Sequence, residues 1–168
     1  MSGRSRFSRD DLGHVLPDVP VVEMVYSRRQ KAERATLREE FNDGVRQDFL
    51  RYLATEKNGE LWKRGFTNRH INTMLKGRVP PGYNVHHIKP LDDGGDNSFG
   101  NLVLMRAHPD HEAVHRYLDP QLKGLENGQS RTVQIPMVQP GIKIPLREEN
   151  QMDHGKAARM SRFAGREI

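Results

Sequence analysis

The chain contains no cysteine, a single tryptophan and no long apolar run. Without thiols it can form neither a disulfide framework nor a thiolate metal site, so histidines must carry any metal site. No stretch stays apolar over the length that a membrane-spanning helix needs, and the polar, arginine-rich start lacks the apolar segment of a secretory signal. We therefore expect a protein that is made in the cytoplasm, without a signal peptide and without a membrane span.

Apolar residues are also scarce overall. They make up 35% of the 168 residues and charged residues make up 29%, which predicts one domain with a modest core and loose ends. We expect a flexible tail over residues 1–22, a single domain over 23–146, and a basic tail or short helix over 147–168. The net charge of +5 favours a polyanionic partner such as nucleic acid, although the positive charge is spread thinly along the chain.

The region 23–78 has a helical pattern. Helix breakers are rare from about Met24, and apolar residues then recur at four-residue steps, which predicts helix up to about Thr55. These apolar residues are Phe41, Val45, Phe49 and Leu53. A shorter helix is predicted between Thr67, a suitable N-cap, and Gly77. Further along the chain, residues 132–136 predict a short edge strand.

Many arginines lie in the predicted amino-terminal helices. They are Arg28, Arg29, Arg34, Arg38, Arg46 and Arg51, and the acids among them are Glu33, Glu39, Glu40 and Asp48. One interpretation is a surface that faces phosphates. We favour the other, a solvated face on which the acids balance most of the arginines.

Residues 83–118 contain five of the eight histidines. Two strand patterns flank the turn-forming residues 92–97, which predicts a β-hairpin. Pro109 and Asp110 then begin a predicted helix. We attribute the aspartates of the turn, Asp92, Asp93 and Asp96, to local turn chemistry rather than to metal binding.

Three of these histidines have the spacing of metal ligands. His111 and His115 are four residues apart, so the predicted helix places them on one face. His86 can supply a third ligand if this helix packs across the hairpin. Three protein ligands leave one position open for water or substrate, which is typical of catalytic zinc sites.

His87 follows His86 on the same predicted strand, so its side chain points to the opposite side. A histidine with a pKa near neutrality is suited to take a proton from water, which makes His87 a candidate general base. The remaining candidates are assigned differently. We interpret His70 as a surface or packing residue and His108 as a surface or substrate-side residue.

The run Val-His-His-Ile-Lys-Pro-Leu-Asp-Asp-Gly-Gly, followed by Asn-Leu-Val-Leu and by His-x-x-x-His, resembles the HNH (ββα-metal, or His-Me finger) endonucleases. The resemblance covers residues 83–118 and is closest to the DNase domains of colicins and pyocins. It implies an α+β fold, with a helical amino-terminal part over 23–78, a ββα-metal motif over 83–118 and a short extension over 119–146.

The resemblance also implies roles for individual residues. His87 corresponds to the general base, and the metal ligands correspond to His86, His111 and His115. Asn101 corresponds to the middle asparagine, which either braces the loop around the base or contacts the metal; Asn97 is the other candidate. Asn84 is a departure, because colicin-type enzymes tend to carry a glutamate there.

The implied activity is that of a metal-dependent endodeoxyribonuclease that hydrolyses double-stranded DNA with little sequence specificity. Three imidazoles favour one zinc or nickel ion at equilibrium, while magnesium or manganese can support turnover. The resemblance suggests an antibacterial toxin that acts in the cytoplasm of a target cell and is neutralised by an acidic immunity protein. The alternatives are a phage or mobile-element endonuclease, and a noncatalytic DNA-binding module in which His108 completes a structural zinc site.

Overall fold

The computed structural model describes residues 9–147 and gives side-chain burial from residue 12 onward. Within this part of the chain the helices are α1 Arg9–Val15, α2 Lys31–Glu40, α3 Arg46–Glu56, α4 Asn58–Lys63, α5 Asn68–Leu75 and α6 Glu112–Leu118. The strands are β1 Val21–Ser27, β2 Tyr83–His87, β3 Leu102–Arg106, β4 Ser130–Pro136 and β5 Gly141–Lys143. The mixed α+β class is thereby confirmed.

Two small sheets are formed. β3 is the central strand of the larger sheet, antiparallel to β2 and parallel to β5. All four residues from Leu102 to Met105 are fully buried, because helices cover both faces of this strand. Leu102 and Leu104 pack with α3, α4 and α5, whereas Val103 and Met105 pack with α1 and α6. β3 is thus the element that joins the two halves of the core.

The second sheet pairs β1 with β4 in antiparallel register, from Val21 opposite Pro136 to Ser27 opposite Ser130. The strand expected near residues 132–136 is confirmed. The helix expected to start near Met24 is wrong at its beginning, because β-branched residues and the distant partner strand β4 make this segment extended. The helix begins only at Lys31.

Residues 9–22 differ from the loose tail that was expected. α1 packs on α6, and Leu12 and Leu16 are buried there. Leu12 on α1 and Leu16 directly after its end bury enough apolar surface to fix this segment on the domain. The rest of the predicted tail, and residues 148–168 of the predicted carboxy-terminal tail or helix, lie outside the described residues.

The helical pattern predicted for residues 23–78 is confirmed from Lys31 onward. α2 and α3 are joined through one π-helical turn, Phe41–Val45, which contains Gly44. The predicted apolar stripe is buried at Phe41, Phe49 and Leu53. α5 is capped by Thr67 as expected, with the Thr67 backbone N–H donating to His70 Nδ1 at 3.0 Å. Among the described residues, no helix combines the length and apolar character needed to span a membrane.

Candidate metal centre

Three imidazoles from two elements converge between β2 and α6. His86 lies on β2 opposite Val103, His111 stands at the start of α6, and His115 follows one turn later. One ring nitrogen from each residue lies within 4.8 Å of the other two. The Nε2 atoms of His111 and His115 are 3.0 Å apart, so the two rings aim at one point. This is a candidate metal-binding triad of His86, His111 and His115.

The interior of this group suits a cation. His86 is 5% exposed, and its Nε2 is buried without a hydrogen-bond partner in the described structure. A buried polar atom without a partner is costly, and a metal ion would satisfy it. Three neutral imidazole nitrogens also fit the preferences of zinc, nickel and copper better than those of magnesium. Both observations fit a divalent ion at the triad.

The protonation states of His86 and His111 support the same conclusion. Burial, reinforced by the neighbouring histidines, lowers the pKa of His86 to about 3. Burial and His115 lower the pKa of His111 to about 4. Both rings are therefore neutral at pH 7, and neutral imidazole is the form that binds metal ions.

Two polar side chains orient the ligand rings from outside. The side-chain amide of Asn84 lies 3.0 Å from His111 Nδ1, and Asp119 Oδ1 lies 3.4 Å from His115 Nδ1. Contacts at Nδ1 hold each ring with Nε2 turned inward, as outer partners of metal-bound histidines do. Asn84, the departure from the colicin-type pattern, thus contacts a candidate ligand.

His87 points away from the triad, as neighbours on a strand do. Its ring is 6% exposed, meets the ring of Phe41 edge-on at 4.4 Å, and places Nε2 2.9 Å from Asn97 Oδ1. Burial lowers the pKa of His87 and Arg38 adds to that effect, while the Asn97 contact opposes it. If the Asn97 oxygen accepts from Nε2, then Nδ1 carries the free lone pair of a neutral base.

The two candidate asparagines, Asn97 and Asn101, contact different groups. Asn101 brackets the backbone of Lys89, accepting from its N–H at 2.8 Å and donating to its carbonyl at 2.9 Å. It therefore braces the loop that follows His87 but does not contact the His87 ring. Asn97 contacts that ring and also donates to the Leu37 carbonyl at 3.0 Å. The sequence pattern favoured Asn101 over Asn97 as the asparagine of the motif. Nothing in the spacing of Asn97 shows that the loop folds back over His87.

The aspartates of the loop do more than close a turn. Asp96 behaves as expected, accepting from the Ser98 backbone N–H and hydroxyl. Asp92 is not part of the candidate metal group, as expected, but its role is not local: it accepts from Tyr26 Oη at 2.7 Å and pairs with Arg28 at 2.9 Å and Arg34 at 2.7 Å. Asp93 likewise accepts from the Ser27 backbone N–H. The loop is thereby fastened to β1 and α2.

A cavity of about 750 Å³ connects these groups. Its lining includes all three triad histidines, His87, and the arginines Arg28, Arg34, Arg38 and Arg46. In the described structure these four arginines pair with none of the acids that were expected to balance them, so the interpretation as a balanced solvated face is wrong for these four. It is right for Arg29, which pairs with Glu33, and for Arg51, which pairs with Asp48. A second cavity of about 730 Å³ is also lined by His111 and His115, together with Glu112 and Asp119.

His108 and His70 lie outside the triad. His108 is exposed and pairs with Glu112, and it does not belong to the group of converging nitrogens. His70 packs beside Phe66 and serves as part of the α5 cap. Among the described residues, the converging group contains these three histidines and no fourth ligand.

Comparison with known proteins gives one informative match. No family model matches the chain, and no solved structure gives a significant match. The chain is 38% identical over 142 residues to the uncharacterized protein YhhZ of Escherichia coli strain K12. The alignment covers 84% of this chain but 35% of YhhZ, so the chain spans about a third of the length of this relative.

Proposed function

We propose that this chain is a metal-dependent endodeoxyribonuclease of the HNH type, which hydrolyses phosphodiester bonds of double-stranded DNA with little sequence specificity. The observation that carries this proposal is the convergence of three imidazoles around the unpartnered Nε2 of His86. Neutral His87 lies on the same strand and lines the same cavity. A metal centre and a base in one cleft are the two parts that hydrolysis of a phosphodiester needs.

The roles of the residues follow from their positions. His86, His111 and His115 would hold a divalent ion, whose charge polarises a phosphate oxygen and stabilises the leaving oxygen when it is bound. His87 takes a proton from the attacking water through its neutral ring. Asn97 holds that ring, and Asn101 holds the backbone beyond it. Attack in line with the 3′ oxygen leaves 5′-phosphate and 3′-hydroxyl ends.

A group of three protein ligands, with no fourth among the described residues, favours catalysis over a purely structural metal. Structural zinc sites are closed by four protein ligands, whereas catalytic sites keep one position for water or substrate. His108, the candidate for a fourth ligand, pairs with Glu112 instead. This arrangement supports the enzyme over a noncatalytic zinc-binding module.

A plasmid assay tests the activity. Protein stripped with EDTA is incubated with supercoiled plasmid and one divalent ion at a time, and the cut ends are sequenced and tested for labelling by polynucleotide kinase before and after phosphatase treatment. We expect nicking and then linearisation at many sequences, with ends that label only after phosphatase. A single sharp recognition site would contradict the low specificity, and 3′-phosphate ends would contradict the mechanism.

For the biological role we propose an antibacterial toxin that is neutralised by an acidic immunity protein. The net charge of +5 suits both a DNA substrate and an acidic inhibitor. Expression in bacteria should stop growth, and expression of the His87→Ala variant at the same level should not. Harmless expression of a cleavage-competent protein would contradict the toxin role and would favour a phage or mobile-element endonuclease.

A further inference from the structure

The π-helical turn between α2 and α3 brings two arginines together over one aromatic ring. The Arg46 backbone N–H donates to the carbonyl of Phe41, five residues earlier, so Arg46 follows Phe41 by one wide turn. Arg38 precedes Phe41 by three residues on the same face. Each guanidinium carbon lies 5.7 Å from the centre of the Phe41 ring. The turn therefore places both cations within cation–π distance of the same ring.

Phe41 anchors this pair against the candidate base. Its ring is 3% exposed and contacts His87 at 4.4 Å between centroids. The contacts run from the arginines through Phe41 to His87, while the triad lies on the other face of β2. Both arginines line the cavity that the triad also lines, and they reach it on the His87 side of β2.

These two cations have no acidic partner among the described residues. Arg28 and Arg34 both pair with Asp92, whereas Arg38 and Arg46 take part in no ion pair of the described structure. Burial and the charges of Arg34 and Arg46 lower the pKa of Arg38, because these cationic side chains lie close together in the cavity lining. Several guanidinium groups in one cleft attract an oxyanion. The planar, forked guanidinium of arginine matches the geometry of phosphate in particular.

We propose that Arg38 and Arg46 form a subsite for a phosphate of the DNA strand that flanks the phosphodiester being cut. This inference rests on the proposed nuclease function. The phosphate at the triad must meet the metal ion, so the guanidiniums beyond His87 and Phe41 are placed for a neighbouring phosphate of the same strand. The subsite holds the strand while His87 acts, and it requires a substrate with more than one phosphate.

The test compares substrates that have and lack flanking phosphates. The double variant Arg38→Gln/Arg46→Gln is measured for affinity to a short fluorescein-labelled duplex by anisotropy in EDTA, and for cleavage of plasmid and of bis(p-nitrophenyl) phosphate. The matched control is Arg69→Gln, since Arg69 is exposed on α5 and lies outside the cavity. Thermal unfolding confirms that each variant is folded.

We expect the double variant to lose about 10- to 100-fold in duplex affinity, as loss of charged hydrogen bonds predicts. The slope of log affinity against log salt concentration should fall by roughly one to two. The KM for plasmid should rise, while hydrolysis of bis(p-nitrophenyl) phosphate, measured at alkaline pH where His87 is neutral with or without the charge of Arg38, should fall much less. Arg69→Gln should match the wild type in every assay. The Arg38→Lys/Arg46→Lys variant should recover part of the affinity, because it keeps the charges.

Two results would overturn the proposal. Unchanged duplex affinity would mean that Arg38 and Arg46 do not bind nucleic acid, and an acidic protein would become the candidate partner. Equal losses on both substrates would place the arginines at the cut phosphodiester itself. Failure of the wild type to cut either substrate with any ion would refute the nuclease instead, while a loss of duplex affinity in the double variant would still support phosphate binding by the arginines.

Discussion

Replacing the two neighbouring histidines of β2 one at a time is expected to produce two different defects. His86→Ala removes the triad member whose buried Nε2 has no other partner. His87→Ala removes a ring that contacts Phe41 and Asn97 on the opposite side of the strand. The first change should weaken metal binding strongly, and the second should slow catalysis with the metal retained.

The size of each effect follows from the role of each ring. If about 12 kcal/mol of metal binding is shared among three ligands, His86→Ala loses about 4 kcal/mol, or roughly a thousandfold in affinity. His87→Ala should change metal affinity by less than about threefold. Its cleavage rate should fall by about 10²–10⁴-fold, the usual contribution of a general base.

Calorimetric titration of EDTA-treated protein with zinc or nickel measures the affinity, and a plasmid assay with saturating ion measures the rate. His70→Ala serves as a control, because His70 lies on α5 outside the cavity. If His87→Ala loses the ion while His86→Ala keeps it, the assignment of base and ligand is reversed. If both variants keep the ion and the activity, the endonuclease proposal fails.

Three further predictions concern the surroundings of the triad. Asn84→Ala should weaken metal binding by about 10- to 100-fold because the orientation of the His111 ring is lost; an unchanged affinity in calorimetry would show that the contact is incidental. Asn97→Ala should lower the plasmid cleavage rate without changing metal affinity, since it holds only the base; loss of the ion in this variant would contradict that role. The EDTA-treated protein should lose stability as the pH falls from about 6.5 towards 4. The pKa of His86 is about 3 and that of His111 about 4 in the folded chain, against 6.5 for a free histidine, so in this window only the unfolded chain binds the protons. Each such proton changes the free energy of unfolding by about 1.4 kcal/mol per pH unit. Urea unfolding at several pH values measures this slope, which should be smaller in His86→Gln; a slope that His86→Gln leaves unchanged would refute a buried, neutral His86.

Local periodicity predicted the parts of the fold that depend on neighbours in sequence. The four-residue spacing of His111 and His115, the buried run that forms β3, and the capped helix after Thr67 all follow from local rules. The approach of His86 to α6 does not, because it depends on packing between elements. The resemblance to HNH endonucleases supplied that expectation.

Long-range pairing explains what the sequence left open. β1 is extended because it pairs with β4, more than a hundred residues later, so its residues give no local sign of a partner. Asp92 resembles a turn residue until Arg28 and Arg34 fold onto it. Arg38 and Arg46 resemble a solvated face until the π-helical turn aligns them over Phe41. Each of these features requires the tertiary structure.

The central claim is that the three-histidine group binds one divalent ion that supports DNA hydrolysis. The most direct measurement is the plasmid nicking rate of EDTA-treated protein as a function of molar equivalents of an added ion, beginning with nickel. The rate should rise with added ion and reach its maximum at one equivalent per chain, and His115→Ala should show no such rise. A plasmid that stays supercoiled at every ratio and with every divalent ion would contradict the claim.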